Sequence, residues 1–360
     1  MAIAEDISWL GGETQAVPSP AAVRVVRLCF VVLGVLGLAA LVFGIQNRLS
    51  PAGAFLFPPV VDLMPPLTPQ AWFGAFAAHQ QDPVFAACGG TESLAQFKAL
   101  YWWEWLRHGS LMLLAGGAAI GLAGASLWFR FALRRVAGLS LIVLGSFVAG
   151  ALFDLAASNV ETLIRYNVGQ YRHALDLTFA CLAVAAVLAT AMAPPGLPAS
   201  APPRAFSALA WAGMILVVLG IATGALFAAR DAAAVWPGFP WYGTGWLPPL
   251  DRFTGYTPLW LNVTFNQYTI QLLHRLAAAV LWVALLGVTI SMWRRKARAL
   301  KAVGMLFALV TAQMATGVAT LVLGVPAVPA VVHEAGAVFV LAGMLFLLLD
   351  RRPRGCHRRA

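Results

Sequence analysis

Apolar runs, each long enough to cross a bilayer, alternate with short polar or basic turns along most of the chain. A helix of about 20 apolar residues spans the hydrocarbon core, and it satisfies all of its backbone polar groups internally. The pattern therefore predicts an all-α membrane protein with eight transmembrane helices. The predicted spans are 23–45, 101–129, 136–157, 174–193, 205–229, 268–292, 302–323 and 331–349.

Composition agrees with this pattern and excludes a soluble domain. Hydrophobic residues make up 61% of the 360 residues, charged residues only 11%, and the mean hydropathy is +0.80. The net charge of +10 does not indicate a nucleic-acid partner, because the cations stand in short clusters between apolar runs. The sequence therefore predicts a lipid bilayer as the environment of this protein.

The basic clusters also predict an orientation. With eight spans, the clusters at the N-terminus, after the second and sixth spans, near Arg204 and in the tail all lie on one side. The positive-inside rule makes that side the cytoplasm, so both termini are expected to be cytoplasmic in a bacterial inner membrane. The two long loops, 46–100 and 230–265, then face outward.

Part of the first long loop has the pattern of a helix lying on the membrane surface. Residues 69–79 combine small and aromatic side chains at helical spacing. We expect an amphipathic helix there whose lipid-facing aromatic residues are Trp72, Phe73 and Phe76.

Four of the six histidines begin predicted spans. They are His108, His173, His274 and His333, and the topology places all four near the outer leaflet. The other two, His79 and His357, lie in a polar loop and in the basic tail. Ionisable residues in membrane helices are costly to bury, so this set is a candidate functional site.

The histidine spacing also reveals an internal repeat. His108 and His274 are 166 residues apart, and His173 and His333 are 160 residues apart. We expect two four-helix halves, 1–196 and 197–360, joined by a linker at 193–204. Parallel repeats of this kind are related by a pseudo-two-fold axis along the membrane normal, and each half would form its own bundle.

Paired histidines on facing helices can hold a low-spin haem, because neutral imidazole is a good axial ligand for iron. Pairing within halves joins His274 with His333 and His108 with His173. Pairing across halves is less favourable, since each bundle should close around its own core. The alternative is that these are interfacial histidines bonded to loop carbonyl groups.

Charged neighbours add to both candidate sites. Arg107, Arg172 and Arg275 stand next to the histidines, where they could pair with haem propionates or simply extend to the interface. Glu104 lies one helical turn before His108 within an aromatic run. It is a candidate for proton transfer, and the alternative is an acid favoured by a helix N-terminus.

Several motifs together carry a resemblance. They are Pro65-Pro66-Leu67 leading to Trp72, Phe97-Lys98 leading to Trp103-Glu104-Trp105, Gly224 to Ala229 leading to Trp236-Pro237-Gly238-Phe239-Pro240, Gln271-Leu272-Leu273-His274-Arg275, and Val332-His333. With these motifs the chain resembles the haem A synthase family, in its mitochondrial and alphaproteobacterial branch, over most of its length.

The resemblance implies a function and a division of labour. Members of this family oxidise a methyl group of haem O to a formyl group, which gives haem A for cytochrome oxidase. It implies a haem b cofactor on His274 and His333, and a substrate side with Glu104, His108 and His173. Haem O synthase and oxidase assembly factors are the implied protein partners.

The second span departs from the family pattern Glu-x-x-His-Arg. Here the order is Glu104-Trp105-Leu106-Arg107-His108, so arginine and histidine are exchanged. A shift of one residue rotates a side chain by about 100° around a helix. Either a local bulge restores the orientation, or His108 does not ligate as in the family.

Two other functions stay open at this point. The exchange is compatible with a divergent protein that binds haem b for electron transfer or haem handling without oxidising haem O. A transporter is less favoured, because we find no pair of Gly- or Pro-broken spans with acids at the midplane. The sequence leaves open the electron donor and whether the chain forms a homo-oligomer.

Overall fold

The computed structural model describes residues 20–48, 62–81, 85, 91–128, 145, 148, 169–192, 204–297 and 300–349. Within these residues the chain forms nine α-helices and no β-strand, as the sequence predicts. The helices are α1 (Pro20–Arg48), α2 (Pro69–Gln80), α3 (Leu94–Trp128), α4 (Gly169–Met192), α5 (Arg204–Ala229), α6 (Asn262–Phe265), α7 (Gln267–Arg294), α8 (Leu300–Val322) and α9 (Ala327–Leu349).

Six of these helices are long and apolar enough to cross a membrane. The segments are Arg27–Gly44, His173–Met192, Leu209–Ala229, Gln267–Arg294, Leu300–Val322 and Ala327–Leu348. They coincide with the first, fourth, fifth, sixth, seventh and eighth predicted spans, so the chain is a multi-pass membrane protein. The second predicted span, 101–129, lies within α3 up to Trp128, and α3 begins earlier, at Leu94. Apart from residues 145 and 148, the third predicted span, 136–157, lies outside the described residues, as does most of the linker.

Helix α7, which carries His274, has a well-defined start. The Asn266 side chain accepts hydrogen bonds from the backbone N–H groups of Tyr268 and Thr269, at 3.0 and 3.4 Å. Such a cap satisfies N–H groups that the first helical turn leaves without partners. Asn266 also donates from Nδ2 to the Arg252 carbonyl at 2.8 Å, which attaches the long loop 230–265 to the helix start.

The last four long helices enclose a common core. Helix α5 packs against α7 and α9, and α8 packs against the same two helices, so α5 and α8 each bridge the pair that carries the histidines. Helix α1 packs against α3 and α4, while α4 also packs against α5 and α9. Helix α4 is therefore the main contact between the first helices of the chain and the last four.

Close packing of α1 on α4 depends on small residues. A buried stretch of α4 contains Ala183, Ala185 and Ala186, and Gly37 of α1 lies against Val184. A Cβ atom placed on Gly37 would come within 2.5 Å of a Val184 methyl carbon. Small residues at such contacts let membrane helices approach closely, so that van der Waals contact holds them together.

The helix predicted at 69–79 is present as α2, but the prediction that Trp72 faces lipid is wrong. Trp72 is only 8% exposed and packs edge-on against Tyr101 and Phe97 of α3, with ring centroids 5.2 and 6.3 Å away. Phe76 also contacts Phe97, whereas Phe73 is 63% exposed as expected. The aromatic residues at the start of α3 pack against Trp72 with favourable edge-to-face geometry. The hydrophobic pattern of α2 alone does not show this contact with another helix.

We expect Gly37→Val to destabilise the protein by about 1–3 kcal/mol, because the added methyl groups would overlap Val184. The measurement is thermal unfolding in detergent, followed by circular dichroism. Gly116→Val on α3 is the matched control, since a Cβ at Gly116 meets nothing within 4 Å. Equal unfolding temperatures for the two variants would contradict close α1–α4 packing at this site.

Candidate functional site

The structure brings together the two histidines predicted as a pair in the second half of the chain. His274 on α7 and His333 on α9 have ring centroids 6.2 Å apart, with their planes at 84°. The two helices stand on opposite sides of the four-helix core, between α5 and α8. The pair thus points into the centre of the helix group.

Each ring is fixed by a hydrogen bond to a neighbouring helix. Nδ1 of His274 lies 3.0 Å from the Gly220 carbonyl oxygen on α5, and Nδ1 of His333 lies 3.1 Å from the Gln313 carbonyl oxygen on α8. A carbonyl oxygen accepts only, so each contact is a hydrogen bond when Nδ1 carries the proton, and in that tautomer Nε2 keeps its lone pair. At His333 the side-chain Nε2 of Gln313 also lies 3.1 Å from Nδ1, and it donates to the His333 carbonyl oxygen at 2.7 Å. These carbonyl groups belong to membrane helices, which distinguishes the pair from interfacial histidines bonded to loops.

A repeated tripeptide forms the pocket for each ring. Thr223 and Thr316 place their hydroxyl oxygens 3.4 and 3.3 Å from Nδ1 of His274 and His333. Each threonine is followed by a glycine, in the sequences Ala222-Thr223-Gly224 on α5 and Ala315-Thr316-Gly317 on α8. Neither threonine was assigned a role from the sequence, although the repeated Ala-Thr-Gly tripeptide was a signal that could have identified both.

The glycines leave the space that the rings fill. A Cβ atom on Gly224 would lie 3.0 Å from Cε1 of His274, and one on Gly317 would lie 2.6 Å from Cε1 of His333. Any larger residue would therefore push the ring away from its carbonyl partner. The same arrangement of carbonyl, threonine and glycine thus holds both rings.

The geometry fits an iron held between the two rings. Metal–imidazole nitrogen bonds are about 2 Å long. Two such bonds in line, together with the distance from each nitrogen to its ring centre, span close to the observed 6.2 Å between centroids. With Nδ1 committed to a carbonyl in each ring, both Nε2 atoms have the form that a metal ligand requires.

The outer loop is attached to the helix turn that carries His274. Gln271 is fully buried and donates from Nε2 to the carbonyl oxygens of Ala232 and Trp236, both at 3.0 Å. Arg275 donates to the carbonyl oxygens of Trp236, Gly238 and Trp241, at 3.0, 2.8 and 3.1 Å. These bonds hold the loop against the helix turn that carries His274.

The predicted haem-propionate role of Arg275 is untested by these contacts and stays a prediction. Its guanidinium also lies over the Tyr242 ring, 4.9 Å from the centroid. The structure therefore adds a role in positioning the outer loop that the sequence did not suggest.

Glu104 on α3 lies in a buried ion pair. It is 1% exposed, and Nε of Arg107 donates to both of its carboxylate oxygens, at 3.1 and 3.0 Å. Nη2 of Arg107 makes a further short contact with Oε1. Pairing the carboxylate with a guanidinium leaves no net charge, which lowers the free-energy cost of burial.

His108 takes a different position from that of His274. Its Nδ1 lies 3.1 Å from the Glu104 carbonyl oxygen, one turn earlier on its own helix, and 3.2 Å from Oε1 of the same residue. Helix α3 is continuous from Leu94 to Trp128, so no bulge compensates for the exchanged order of Arg107 and His108.

His173, the last predicted ligand, lies near the start of α4. His173 is 8% exposed, and Gln170, three residues earlier on the same helix, is also buried. The side chain of Arg172 lies outside the described residues. The structure thus places His173 in the interior, on the helix that contacts both parts of the chain.

Comparisons with known proteins identify the family to which the chain belongs. The chain matches the COX15-CtaA family of cytochrome oxidase assembly proteins over residues 26–345. It is 30% identical to a haem A synthase of Azorhizobium caulinodans, with 96% of this chain and 98% of that protein covered. It is 34% identical to a haem A synthase of Chelativorans, with 84% of each chain covered, and 32% identical to one of Rhodospirillum centenum, with 95% and 92% covered. The chain therefore belongs to the COX15-CtaA family of cytochrome oxidase assembly proteins.

Proposed function

We propose that this protein is a haem A synthase, a membrane oxidoreductase that converts a methyl group of haem O into the formyl group of haem A. The observation that carries this proposal is the pair His274 and His333, each held by a carbonyl oxygen so that Nε2 is available to iron. The relatives named as haem A synthases support the same activity.

The helix contacts support a two-bundle arrangement with pseudo-two-fold symmetry. The contact of α1 with α3 matches that of α5 with α7, and the contact of α1 with α4 matches that of α5 with α9. The contact of α4 with α5 likewise matches that of α9 with α1. We therefore propose halves at 1–196 and 197–360, each forming a four-helix bundle, with both termini on the cytoplasmic side.

In the second half, we propose a haem b cofactor ligated by His274 and His333. A haem held by these two histidines would supply electron transfer at this site. Residues of this chain orient it: Thr223, Thr316 and the two carbonyl groups fix the rings, and Gln271 and Arg275 hold the outer loop in place.

In the first half, we propose the site for haem O. Glu104, His108 and His173 are the residues assigned to this site, with Arg107 and Arg172 as candidates for contacts to propionates. The carboxylate of Glu104 is held by Arg107 in a fixed orientation, and His108 lies within hydrogen-bond distance of the same carboxylate. This network can hold a proton and pass it on near the substrate. Haem O synthase and oxidase assembly factors are the proposed partners.

A second candidate function is haem b binding for electron transfer or haem handling, without oxidation of haem O. The exchanged order of Arg107 and His108 favours it, because the change falls in the half assigned to the substrate. Both candidates share the His274–His333 site and differ in what happens to haem O.

We expect membranes that contain this protein and a haem O synthase to accumulate haem A, or its hydroxylated precursor, in a bacterium deleted for its own haem A synthase. Extraction and chromatography of the membrane haems measure this. Membranes with the haem O synthase alone are the control and should contain haem O. If haem O stays unaltered while the purified protein carries haem b, the synthase proposal fails and the second candidate replaces it.

We expect His274→Ala and His333→Ala each to remove most of the bound haem b, because a single remaining imidazole cannot hold a six-coordinate iron. The visible spectrum and haem content of the purified protein measure this. His79→Ala is the control, since His79 lies in the first outer loop beside Glu92. Full retention of low-spin haem in both variants would rule out this ligand pair.

We expect Gly317→Ala to lower haem b affinity by about 10- to 100-fold, the usual effect of losing support for a metal ligand. The added methyl group would overlap the His333 ring. Haem titration of the apoprotein measures the change. Gly304→Ala on the same helix is the matched control, because a Cβ there meets nothing within 4 Å. Equal affinities for the two variants would show that the glycine does not support the ligand.

A further inference from the structure

The two helices that follow the long outer loops share a buried polar turn. Gln271 on α7 and Glu104 on α3 are 0% and 1% exposed. The third residue after Gln271 is His274 and the fourth is Arg275, whereas the third after Glu104 is Arg107 and the fourth is His108. Both helices are continuous here, so residues at the same distance in sequence from Glu104 and Gln271 lie at the same angle around their helices. Arg107 therefore corresponds to His274.

Contacts with the first long helix of each half, α1 and α5, support equivalent positions for Arg107 and His274. A Cβ atom on Gly224 of α5 would lie 3.0 Å from the His274 ring. A Cβ atom on Gly44 of α1 would lie 3.2 Å from Cδ of Arg107. In each half, a glycine of the first long helix thus makes room for the side chain three residues after the buried polar residue. That side chain is histidine in the second half and arginine in the first.

Arginine at this position cannot replace histidine as a ligand. A guanidinium carries donors only, and that of Arg107 is bonded to the Glu104 carboxylate. His108 lies one residue, about 100°, further around the helix. Its Nδ1 bonds to the carbonyl of its own helix, whereas His274 bonds to the carbonyl of a neighbouring helix.

We propose that a haem bound in the first half has one histidine ligand, His173, and that α3 presents the Arg107–Glu104 ion pair, instead of a ligand, to its opposite face. This inference rests on the proposed substrate site in the first half. It assigns different coordination to the two halves: two histidines at the site between α7 and α9, and one at the site beside α3. A haem held by one histidine would be able to supply oxidation chemistry, whereas a haem held by two would supply electron transfer.

The electron paramagnetic resonance spectrum of the oxidised full-length protein, purified after co-expression with a haem O synthase, tests this directly. We expect a low-spin signal from the His274–His333 site and a separate high-spin signal from the first half. His173→Ala should remove the high-spin signal, and His108→Ala should leave it unchanged. Arg107→His, which restores a histidine at the position equivalent to His274, should convert it to low spin.

The low-spin signal of the second half serves as an internal control for folding in every variant. If the haem of the first half is low-spin in the wild type and becomes high-spin in His108→Ala, then His108 is a ligand and the inference is wrong, while the proposed synthase function stands. If no second haem is found although haem O is present in the membranes, both the inference and the proposed substrate site are wrong.

Discussion

The hydrogen bonds from the two histidine rings to helix carbonyl groups are the constraint on which the site depends. Nδ1 of His274 lies 3.0 Å from the Gly220 carbonyl oxygen and Nδ1 of His333 lies 3.1 Å from that of Gln313, which favours the tautomer with the proton on Nδ1 and sets the direction of Nε2 in each ring. A helix carbonyl can accept this bond only if the ring comes close to the helix surface. Gly224 and Gly317 provide that approach, so the packing of α5 and α8 determines the geometry of ligands on α7 and α9.

Burial of polar groups in an apolar protein explains much of the remaining arrangement. Unsatisfied polar groups are costly in such surroundings, and several buried side chains near the site bond to a defined partner. Gln271 and Arg275 bond to carbonyl groups of the outer loop, and Glu104 pairs with Arg107. The loop and the helix turn are thereby connected in the second half, while the corresponding turn in the first half is occupied by an ion pair.

The sequence predicted the parts of this structure that depend on local pattern. Apolar run length was enough to locate the described membrane helices, and the spacing of His274 and His333 at the starts of two spans was enough to pair them. Both features follow from one-dimensional regularities, namely helix length and an internal repeat. The position of Arg107 follows in the same way from its offset to a buried residue, once the repeat is aligned.

Features that depend on contacts between distant segments could not be predicted in this way. Trp72 was expected to face lipid, because the pattern of α2 does not show that the aromatic start of α3 packs over it. The roles of Thr223 and Thr316 were missed, since hydroxyl groups in membrane helices usually bond to their own backbone, and these two also do so. Arg275 was assigned to propionates or to the interface, and its three bonds to the outer loop depend on how that loop folds back.

An experimental structure of the protein purified with its haem would test the central claim most directly. We expect iron density midway between Nε2 of His274 and Nε2 of His333, with both Nδ1 atoms still bonded to the carbonyl oxygens of Gly220 and Gln313. Iron bound elsewhere, or histidine rings that turn Nδ1 away from these carbonyl groups when haem is present, would contradict the assignment of this pair as the cofactor site.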